Sequence, residues 1–177
     1  MEATNRNTEN LLKQILHPNH LNPAYLQVKR NKGAAGMDGM TINELGYYLK
    51  ENGEEIKDQI RTRSYQPKPV KRIEIPKADG GVRNLGVPTV VDRFIQQAIA
   101  QVLTPIYEEK FHENSYGFRP GRCAEMAIIK SLEFMNDGYT WIVDIDLEKF
   151  FDTVSGVMTD DEYKESVIGT PQGGNLS

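Results

Sequence analysis

The spacing of apolar positions predicts three helices in the first third of the chain. Leucine and isoleucine recur at helical intervals over Thr8–Leu16. A second helix is predicted over Pro23–Asn31, followed by a flexible loop of small residues, Gly33–Gly39. A longer helix is predicted over Thr41–Ile60, where a threonine is followed three residues later by a glutamate, the spacing of a capping box.

The pattern then changes from helix to strand. Prolines in residues 65–69 remove backbone donors and bias this segment towards an extended conformation. Alternating polar and apolar residues predict a strand over Val70–Ile75 and a returning strand over Val82–Val87. Between them, Asp79–Gly81 is typical of a hairpin turn.

The second half of the chain returns to longer apolar repeats. A helix is predicted over Thr89–Phe111, with a kink at Pro105. Another helix is predicted over Arg122–Asn136, then a strand over Tyr139–Leu147. Two short apolar groups flank a polar centre in Gly156–Ile168, which favours a second hairpin.

Length and composition indicate a globular protein. The 177 residues suit one domain, or one domain with part of a second, and 38% of them are hydrophobic and 26% charged. Apolar runs fall well short of the roughly 20 residues that span a bilayer, and we expect no membrane association. The polar first ten residues lack a signal-peptide core, and the single cysteine, Cys123, excludes an internal disulfide. A cytoplasmic location is therefore expected.

The charge is unevenly distributed. A net charge of −4 argues against a polyanionic partner, but the window Lys57–Arg93 holds nine basic and four acidic residues. A local basic face is therefore available. The alternative is a solvated surface with scattered charges, and composition alone favours that alternative.

The segment Trp141–Asp152 carries the strongest chemical signal. Strand alternation would place Asp144 and Asp146 on one face. Buried unpaired carboxylates are costly, and Mg²⁺ binds such oxygens; two ions about 3.5–4 Å apart are typical of phosphoryl-transfer sites. The alternative is that the acids face water or cap the next helix. For Asp144 and Asp152 the residues leave both interpretations open.

Two basic residues flank the predicted hairpin turn. Lys77 comes just before it and Arg83 just after it, so the hairpin would bring both to one end. The lysine ammonium group acts as a point charge and the arginine guanidinium group can bind a phosphate through two hydrogen bonds, so the pair suits a triphosphate ligand. Without further observations, ordinary protection of an edge strand by basic residues is the simpler interpretation.

Two loops have suggestive compositions. In Gly169–Ser177, adjacent glycines would allow close backbone approach to a ligand, and Gln172 could contact a base edge; a plain loop is the alternative. Ser115–Arg122 combines aromatics with arginines, which can stack on bases and hold phosphates. Its alternative is a structured loop whose aromatics pack on the core.

Taken in order, these segments resemble the reverse transcriptases encoded by bacterial group II introns. The resemblance covers nearly the whole chain, and six ordered motifs are far more specific than any one of them. The matching segments are 65–70, 75–77, 83–93, 115–122, 143–152 and 169–174.

The resemblance implies an α+β fold: a right-hand polymerase fingers/palm fragment with a helical N-terminal extension. Residues 1–64 would form the extension and the start of the fingers, residues 65–138 the fingers, and residues 139–177 a partial palm. The Gly33–Gly39 loop resembles the part of the extension that lies over the template.

The resemblance also implies catalytic roles in the palm. Asp146 matches the first catalytic aspartate, which with the backbone carbonyl of Leu147 would bind metal; the complete enzyme would use two Mg²⁺ ions. The register is set by Phe151, which matches the steric gate that selects deoxynucleotides, and Asp144 falls two residues too early.

The remaining implied roles concern the nucleotide and the nucleic acid. Lys77 and Arg83 match residues that hold the incoming triphosphate, and Gln172 matches a glutamine near the nascent base pair. Four basic residues are candidates for RNA contact: Arg63, Lys68, Arg72 and Arg119.

The family implies RNA as the main partner. The complete protein would bind template RNA, primer DNA and dNTPs in the bacterial cytoplasm, and as a maturase it would bind its intron RNA to assist splicing and mobility. Whether it forms a homodimer is left open.

The chain departs from the family in two places. Relatives continue to a Tyr-Ala-Asp-Asp motif, whereas this sequence stops at Ser177 without one. Relatives also have a helical stretch of a few dozen residues where Val154 here meets Ser155. Either that stretch was removed from the protein, or the protein has it and this sequence omits it. We expect a truncated or incompletely recorded form, and we expect the 177 residues alone to lack polymerase activity.

Two other functions compete with polymerisation. A non-catalytic RNA-binding module would need only intron binding. A relative devoted to retron or defence synthesis would keep the polymerase core, but Gly33–Gly39 and residues 65–70 fit the intron group better.

Overall fold

The computed structural model describes residues 10–76, 78, 80–145, 157–159 and 162–164. For residues 83 and 84 and the two short strands near the C-terminus, only the backbone is described. The chain divides into two compact units. Unit 1 comprises the residues up to Val102 with the C-terminal strands, and unit 2 comprises Leu103–Glu148.

Unit 1 begins with three helices: α1 (residues 10–15), α2 (Pro18–Asn31) and α3 (Ile42–Arg61). Helix α2 starts five residues earlier than predicted. The His17 side chain accepts a hydrogen bond from the Asn19 N–H at 3.2 Å, and Pro18 occupies the first helical position, where its missing donor costs nothing.

Helix α3 confirms the prediction from the sequence, including its start. The Glu44 carboxylate accepts the Thr41 backbone N–H at 2.7 Å and the Thr41 hydroxyl at 2.6 Å. These bonds lower the pKa of Glu44, the hydroxyl bond having the larger effect. The negative charge also lies in the first turn, where the helix dipole favours it.

The predicted first hairpin is confirmed as β1 (Val70–Pro76) and β2 (Val82–Val87), paired antiparallel. A second hairpin is also present, formed by β3 (Val157–Thr159) and β4 (Glu162–Lys164). Its second strand lies within the polar centre of the predicted hairpin, and the apolar group after it lies outside the described residues. Strand β3 pairs parallel with the start of β1, so the described strands form one sheet in the order β2-β1-β3-β4.

Helix α4 (Val90–Glu108) follows β2 and provides much of the core of unit 1. It runs through Pro105 and ends three residues before the predicted end. Its apolar face packs with α2 and α3, and burial of each such side chain stabilises the unit by about 1.5–3 kcal/mol. The core includes Ala24, Val28, Ile42, Leu45, Ile56, Val90, Val91, Phe94, Ile95 and Ala98.

Unit 2 contains helix α5 (Ala124–Asn136), which begins two residues later than predicted, after Cys123. No residue of this helix is buried. The predicted strand over Tyr139–Leu147 is wrong for its described part, residues 139–145, which form no strand. Trp141 is 92% exposed and Ile145 85% exposed. Apolar residues favour a strand only where a neighbouring strand can pair with it, and no described strand does so here.

No helix in the described ranges is long and apolar enough to cross a membrane.

Candidate nucleic-acid interface

The start of α4 is built around two buried polar residues. Thr89 precedes the helix and Asp92 lies in its first turn, and the two are only 1% and 3% exposed. The Thr89 hydroxyl accepts the Asp92 N–H at 3.2 Å and donates to the Asp92 carboxylate at 2.5 Å. This reciprocal cap places a buried negative charge at the helix N-terminus, where the helix dipole stabilises it.

The Asp92 carboxylate also binds the segment that leads into β1. The Tyr65 hydroxyl donates to Oδ1 at 2.7 Å, and the backbone N–H of Lys68 donates to Oδ2 at 3.3 Å. A buried carboxylate is tolerated only when its oxygens are satisfied, and here three donors satisfy them. Asp92 therefore fixes residues 65–68 to α4.

The Tyr65 hydroxyl is held in its neutral form. Burial raises its pKa well above the ordinary value, and the hydrogen bond to Asp92 and the charge of Asp92 raise it further. Because the phenol stays protonated, it remains a donor to the carboxylate at neutral and moderately alkaline pH.

The Gly33–Gly39 loop lies against the same helix start. Arg93 donates to the Ala34 carbonyl at 2.5 Å. A Cβ at Gly33 would be 1.9 Å from a guanidinium nitrogen of Arg93, and one at Gly36 would be 2.6 Å from the Cα of Thr89. Close packing of the loop on the backbone before α4 therefore requires glycine at Gly36, whereas at Gly33 the neighbour is the flexible end of the Arg93 side chain.

An ion pair ties the loop to the segment before β1. Lys68 Nζ lies 3.3 Å from Asp38 Oδ2, and the other oxygen of Asp38 accepts the Met40 N–H at 3.2 Å. The Asp38 side chain is 15% exposed, whereas that of Lys68 is 55% exposed. Asp38 also acts on Arg93, whose pKa is lowered by burial and partly restored by this negative charge.

Three further cations of unit 1 are exposed, two just before the Gly33–Gly39 loop and one in β1. Arg30, Lys32 and Lys71 have no ion-pair partner among the described residues. Of the predicted RNA-binding residues in unit 1, Arg63 is exposed in the turn after α3, and Arg72 lies 3.7 Å from Glu74. The surface of unit 1 therefore offers several solvent-facing positive charges, which suit a phosphate backbone.

Arg119 in unit 2 is engaged internally. Its side chain is 6% exposed and pairs with Glu108 at 2.6 Å. It also donates to the His112 carbonyl at 2.8 Å and the Ser115 carbonyl at 2.9 Å, and lies over the ring of Phe111. The pair with Arg119 lowers the pKa of Glu108. A phosphate would have to displace these contacts, so the geometry favours a role in organising the loop.

The rest of the Ser115–Gly121 loop has mixed exposure. Arg122 lies over the ring of Tyr116 at 5.4 Å, whereas Phe118 is fully exposed and has a positive φ of 54°. The alternative interpretation, in which the aromatics of this loop pack on the core, is therefore wrong for Phe118. Its exposed ring has the character of a stacking platform.

Most of the residues predicted to act in catalysis, metal binding or nucleotide binding lie outside the described residues. These are Lys77, Asp146, Leu147, Phe151 and Gln172. For Arg83 only the backbone is described, and it pairs with Ile75, one step from the Pro76–Val82 pair next to the turn. Asp144 is exposed. Within the described ranges no group of three or more His, Cys, Asp or Glu side chains could hold a metal ion.

Sequence reasoning missed the Tyr65–Asp92 bond and the Gly36–Thr89 contact. A local signal existed for part of this arrangement, since an aspartate three residues after a threonine is the spacing of a capping box. The partners from residues 33–68 lie 24 or more positions away and carry no local signal.

Comparison with known proteins identifies the class. Residues 75–177 match the family described as reverse transcriptase (RNA-dependent DNA polymerase), and the chain belongs to this family. The resemblance seen in the sequence is thereby confirmed.

Particular relatives refine this assignment. Protein YkfC of Escherichia coli (strain K12) is 37% identical over 152 residues, which cover 82% of this chain and 40% of YkfC. The group II intron-encoded protein LtrA of Lactococcus lactis subsp. cremoris is 29% identical over 195 residues, covering 94% of this chain and 32% of LtrA. The chain is thus a homologue of group II intron-encoded proteins and spans two fifths or less of the length of these two relatives.

A solved structure supports the fold. A chain of the partial Cas6-RT-Cas1–Cas2 complex matches with a TM-score of 0.56 and 23% identity, covering 94% of this chain and 32% of the other. This likeness concerns the fold alone. Together with the helices and small sheet described above, it confirms the α+β fingers/palm fragment.

Proposed function

We propose that this chain forms the fingers and part of the palm of a group II intron-type reverse transcriptase, which in its complete form copies RNA into DNA. The observation that carries the proposal is the common anchorage at the start of α4. We call the residues just before β1 and just after β2 the root of the hairpin. This root and the Gly33–Gly39 loop both contact the start of α4. The family assigns the incoming nucleotide to the hairpin and the template to the loop.

The hairpin register agrees with a triphosphate clamp. Lys77 is the residue that follows β1 in the sequence, and Arg83 is the second residue of β2. Arg83 pairs with Ile75, one step from the turn end of the hairpin. A lysine and an arginine at that end would neutralise the charge of an incoming dNTP.

Metal binding in the complete enzyme rests on the family. Asp146 and the carbonyl of Leu147 would hold Mg²⁺, which when bound would neutralise charge on the reacting phosphate and align the primer 3′-oxygen. Both residues lie outside the described part of the chain. The residues that are described contribute by holding template and nucleotide in place.

Binding of intron RNA is the second part of the proposal. The exposed cations Arg30, Lys32, Lys68 and Lys71 support it, since phosphate contacts dominate the affinity of proteins for RNA. Proteins named nuclear intron maturases in Arabidopsis thaliana are also similar, one of them 33% identical over 82 residues. For this chain alone, RNA binding without catalysis is the competing function. The proposal for the complete protein also places it in the bacterial cytoplasm.

The alignment with LtrA runs over 195 positions, whereas 94% of 177 residues is about 166, so about 29 positions of it have no counterpart here. A deletion between Val154 and Ser155 would leave unmatched positions of this kind. An intact mass of 20.1 kDa would establish that no such stretch is hidden in the protein.

The proposal is tested by primer extension on an RNA template in the presence of Mg²⁺. The chain would be assayed alone and together with any sequence that its gene encodes after Ser177. We expect extension from the complete gene product and its loss in the Asp146→Asn variant. Extension that persists in the variant would remove Asp146 from the catalytic role.

RNA binding is tested separately by filter binding over a series of salt concentrations. We expect this chain to bind RNA at low salt, with an affinity that falls steeply as salt rises because counterions are released on binding. Absence of binding at low salt would contradict both the polymerase proposal and the RNA-binding alternative.

A further inference from the structure

The β1–β2 hairpin has few contacts beyond its root. Ile73 is 37% exposed, Ile75 43% and Val82 53%. In the described part of the chain, β1 pairs with β3 only through Val70 and Lys71, the first two positions of β1. The direction of the hairpin is therefore set where it leaves the helical part of unit 1.

Both ends of this root meet the start of α4. On the incoming side, the Lys68 N–H donates to the Asp92 carboxylate, and Tyr65 donates to the same group. On the outgoing side, β2 ends at Val87, and Thr89, two residues later, caps α4 and also binds Asp92. One buried carboxylate thus binds the residues just before β1 and just after β2, where the hairpin joins the helical part of unit 1.

The same group is linked to the Gly33–Gly39 loop. Lys68, whose backbone binds Asp92, pairs through its side chain with Asp38. Arg93, the next residue along α4, holds the Ala34 carbonyl, and Gly36 rests on the backbone of Thr89. A shift of Asp92 would therefore move the hairpin and the loop together.

We infer that Asp92 is a positioning residue that sets the hairpin and the Gly33–Gly39 loop relative to each other, and so aligns the incoming nucleotide with the template. This inference rests on the proposed function. It assigns Asp92 no contact with substrate. Asp92 acts through the hydrogen bonds that its carboxylate accepts from Tyr65, Thr89 and the backbone of Lys68.

The length of the hairpin explains why its root matters. The seven residues of β1 extend about 20 Å, at a rise of about 3.3 Å per residue. A tilt of about 10° at the root would move the far end by about 3.5 Å. Displacements of about 1 Å reduce rates by about 10²-fold in active sites, so a small change at Asp92 would be amplified at the triphosphate.

The test compares Tyr65→Phe with Tyr47→Phe in the full 177-residue chain. Tyr65→Phe removes only the hydroxyl that binds Asp92, whereas Tyr47 is 79% exposed and serves as the matched control. Circular dichroism at the assay temperature would verify that both variants are folded. Asp92→Asn is a second variant, with a stronger expected effect because it removes the negative charge and its NH2 group would face at least one of the three donors.

Two measurements are made on each protein. Hydrogen exchange would follow the backbone amides of residues 33–40 and 68–76. Equilibrium dialysis with labelled dTTP and Mg²⁺ would give the triphosphate Kd. We expect Tyr65→Phe to accelerate exchange in both segments and to raise the Kd about tenfold because the end of the hairpin is displaced, while Tyr47→Phe changes neither.

The outcomes separate this inference from the proposed function. If Tyr65→Phe leaves exchange unchanged in either segment, or accelerates it equally throughout unit 1, the positioning role is overturned. If the unsubstituted chain does not bind dTTP, the triphosphate clamp of the proposed function fails, and the exchange measurement still decides whether Asp92 couples hairpin and loop.

Discussion

Gly36 lies directly against the backbone of Thr89. A Cβ on Gly36 would be 2.6 Å from the Cα of Thr89, 2.9 Å from its nitrogen and 3.0 Å from the carbonyl oxygen of Pro88. All three neighbours are backbone atoms at the start of a buried helix, so none can move aside cheaply. The contact requires glycine and fixes the loop on α4.

The Gly36→Ala substitution is therefore expected to lower the free energy of unfolding by about 1–3 kcal/mol, the usual cost of overpacking. Gly53→Ala is the control, because Gly53 lies in α3 and a Cβ there would meet nothing within 4 Å. Alanine is a better helix former, so Gly53→Ala should raise the free energy of unfolding by up to about 1 kcal/mol. Urea denaturation measures both, and changes of the same sign would contradict the close packing.

Loss of the Tyr65 hydroxyl should also be costly. Tyr65→Phe leaves the Asp92 carboxylate buried with one donor fewer, and a hydrogen bond to a charged group contributes about 1.5–3 kcal/mol. Urea denaturation of Tyr65→Phe should show that the free energy of unfolding falls by about 2 kcal/mol. Tyr47 is exposed, so Tyr47→Phe should change the free energy of unfolding by no more than about 0.5 kcal/mol. Equal effects would show that the bond does not stabilise the fold.

The raised pKa of Tyr65 predicts a specific alkaline response. The folded protein favours the protonated phenol, whereas the unfolded chain loses the proton near pH 10. The stabilisation is therefore complete below about pH 10 and is lost as the pH rises above it, by at most about 1.4 kcal/mol per pH unit. Denaturation between about pH 9 and pH 11 should show this loss in the unsubstituted chain and in Tyr47→Phe. A loss of the same size in Tyr65→Phe would rule out Tyr65 as its source.

The steric-gate assignment of Phe151 gives a prediction for the complete enzyme. Phe151→Ala replaces the benzyl side chain with a methyl group. This would open space where the 2′-hydroxyl of a ribonucleotide would sit, so ribonucleotides should be incorporated. Primer extension with dNTPs or rNTPs on the same RNA template measures the discrimination. Unchanged selectivity between dNTPs and rNTPs would contradict the role of Phe151. Asp146→Asn serves as the inactive reference, against which any residual synthesis by Phe151→Ala is measured.

The sequence determined most of the secondary structure and the class of protein. Apolar spacing marked α3 and the hairpin β1–β2 closely, because these elements depend on local periodicity, capping and turn residues. The ordered motifs identified a reverse transcriptase, which the family match over residues 75–177 confirmed. Such motifs are readable because each is a short run of neighbouring residues.

Where the prediction failed, the missing information was not local. Residues 139–145 have the alternation of a strand but form none, since a strand requires a partner. Arg119 looks in the sequence like a phosphate ligand, whereas folding brings it to Glu108 and two loop carbonyls.

Only the tertiary structure decided how the loop and the hairpin are joined. The sequence contains Gly36, Tyr65 and Asp92 as separate residues, and the hydroxyl of Tyr65 lies 2.7 Å from a carboxylate 27 positions away. Packing of α2, α3 and α4 around one core brings them together, and burial then makes their hydrogen bonds obligatory, because an unpaired carboxylate in that position would be strongly destabilising.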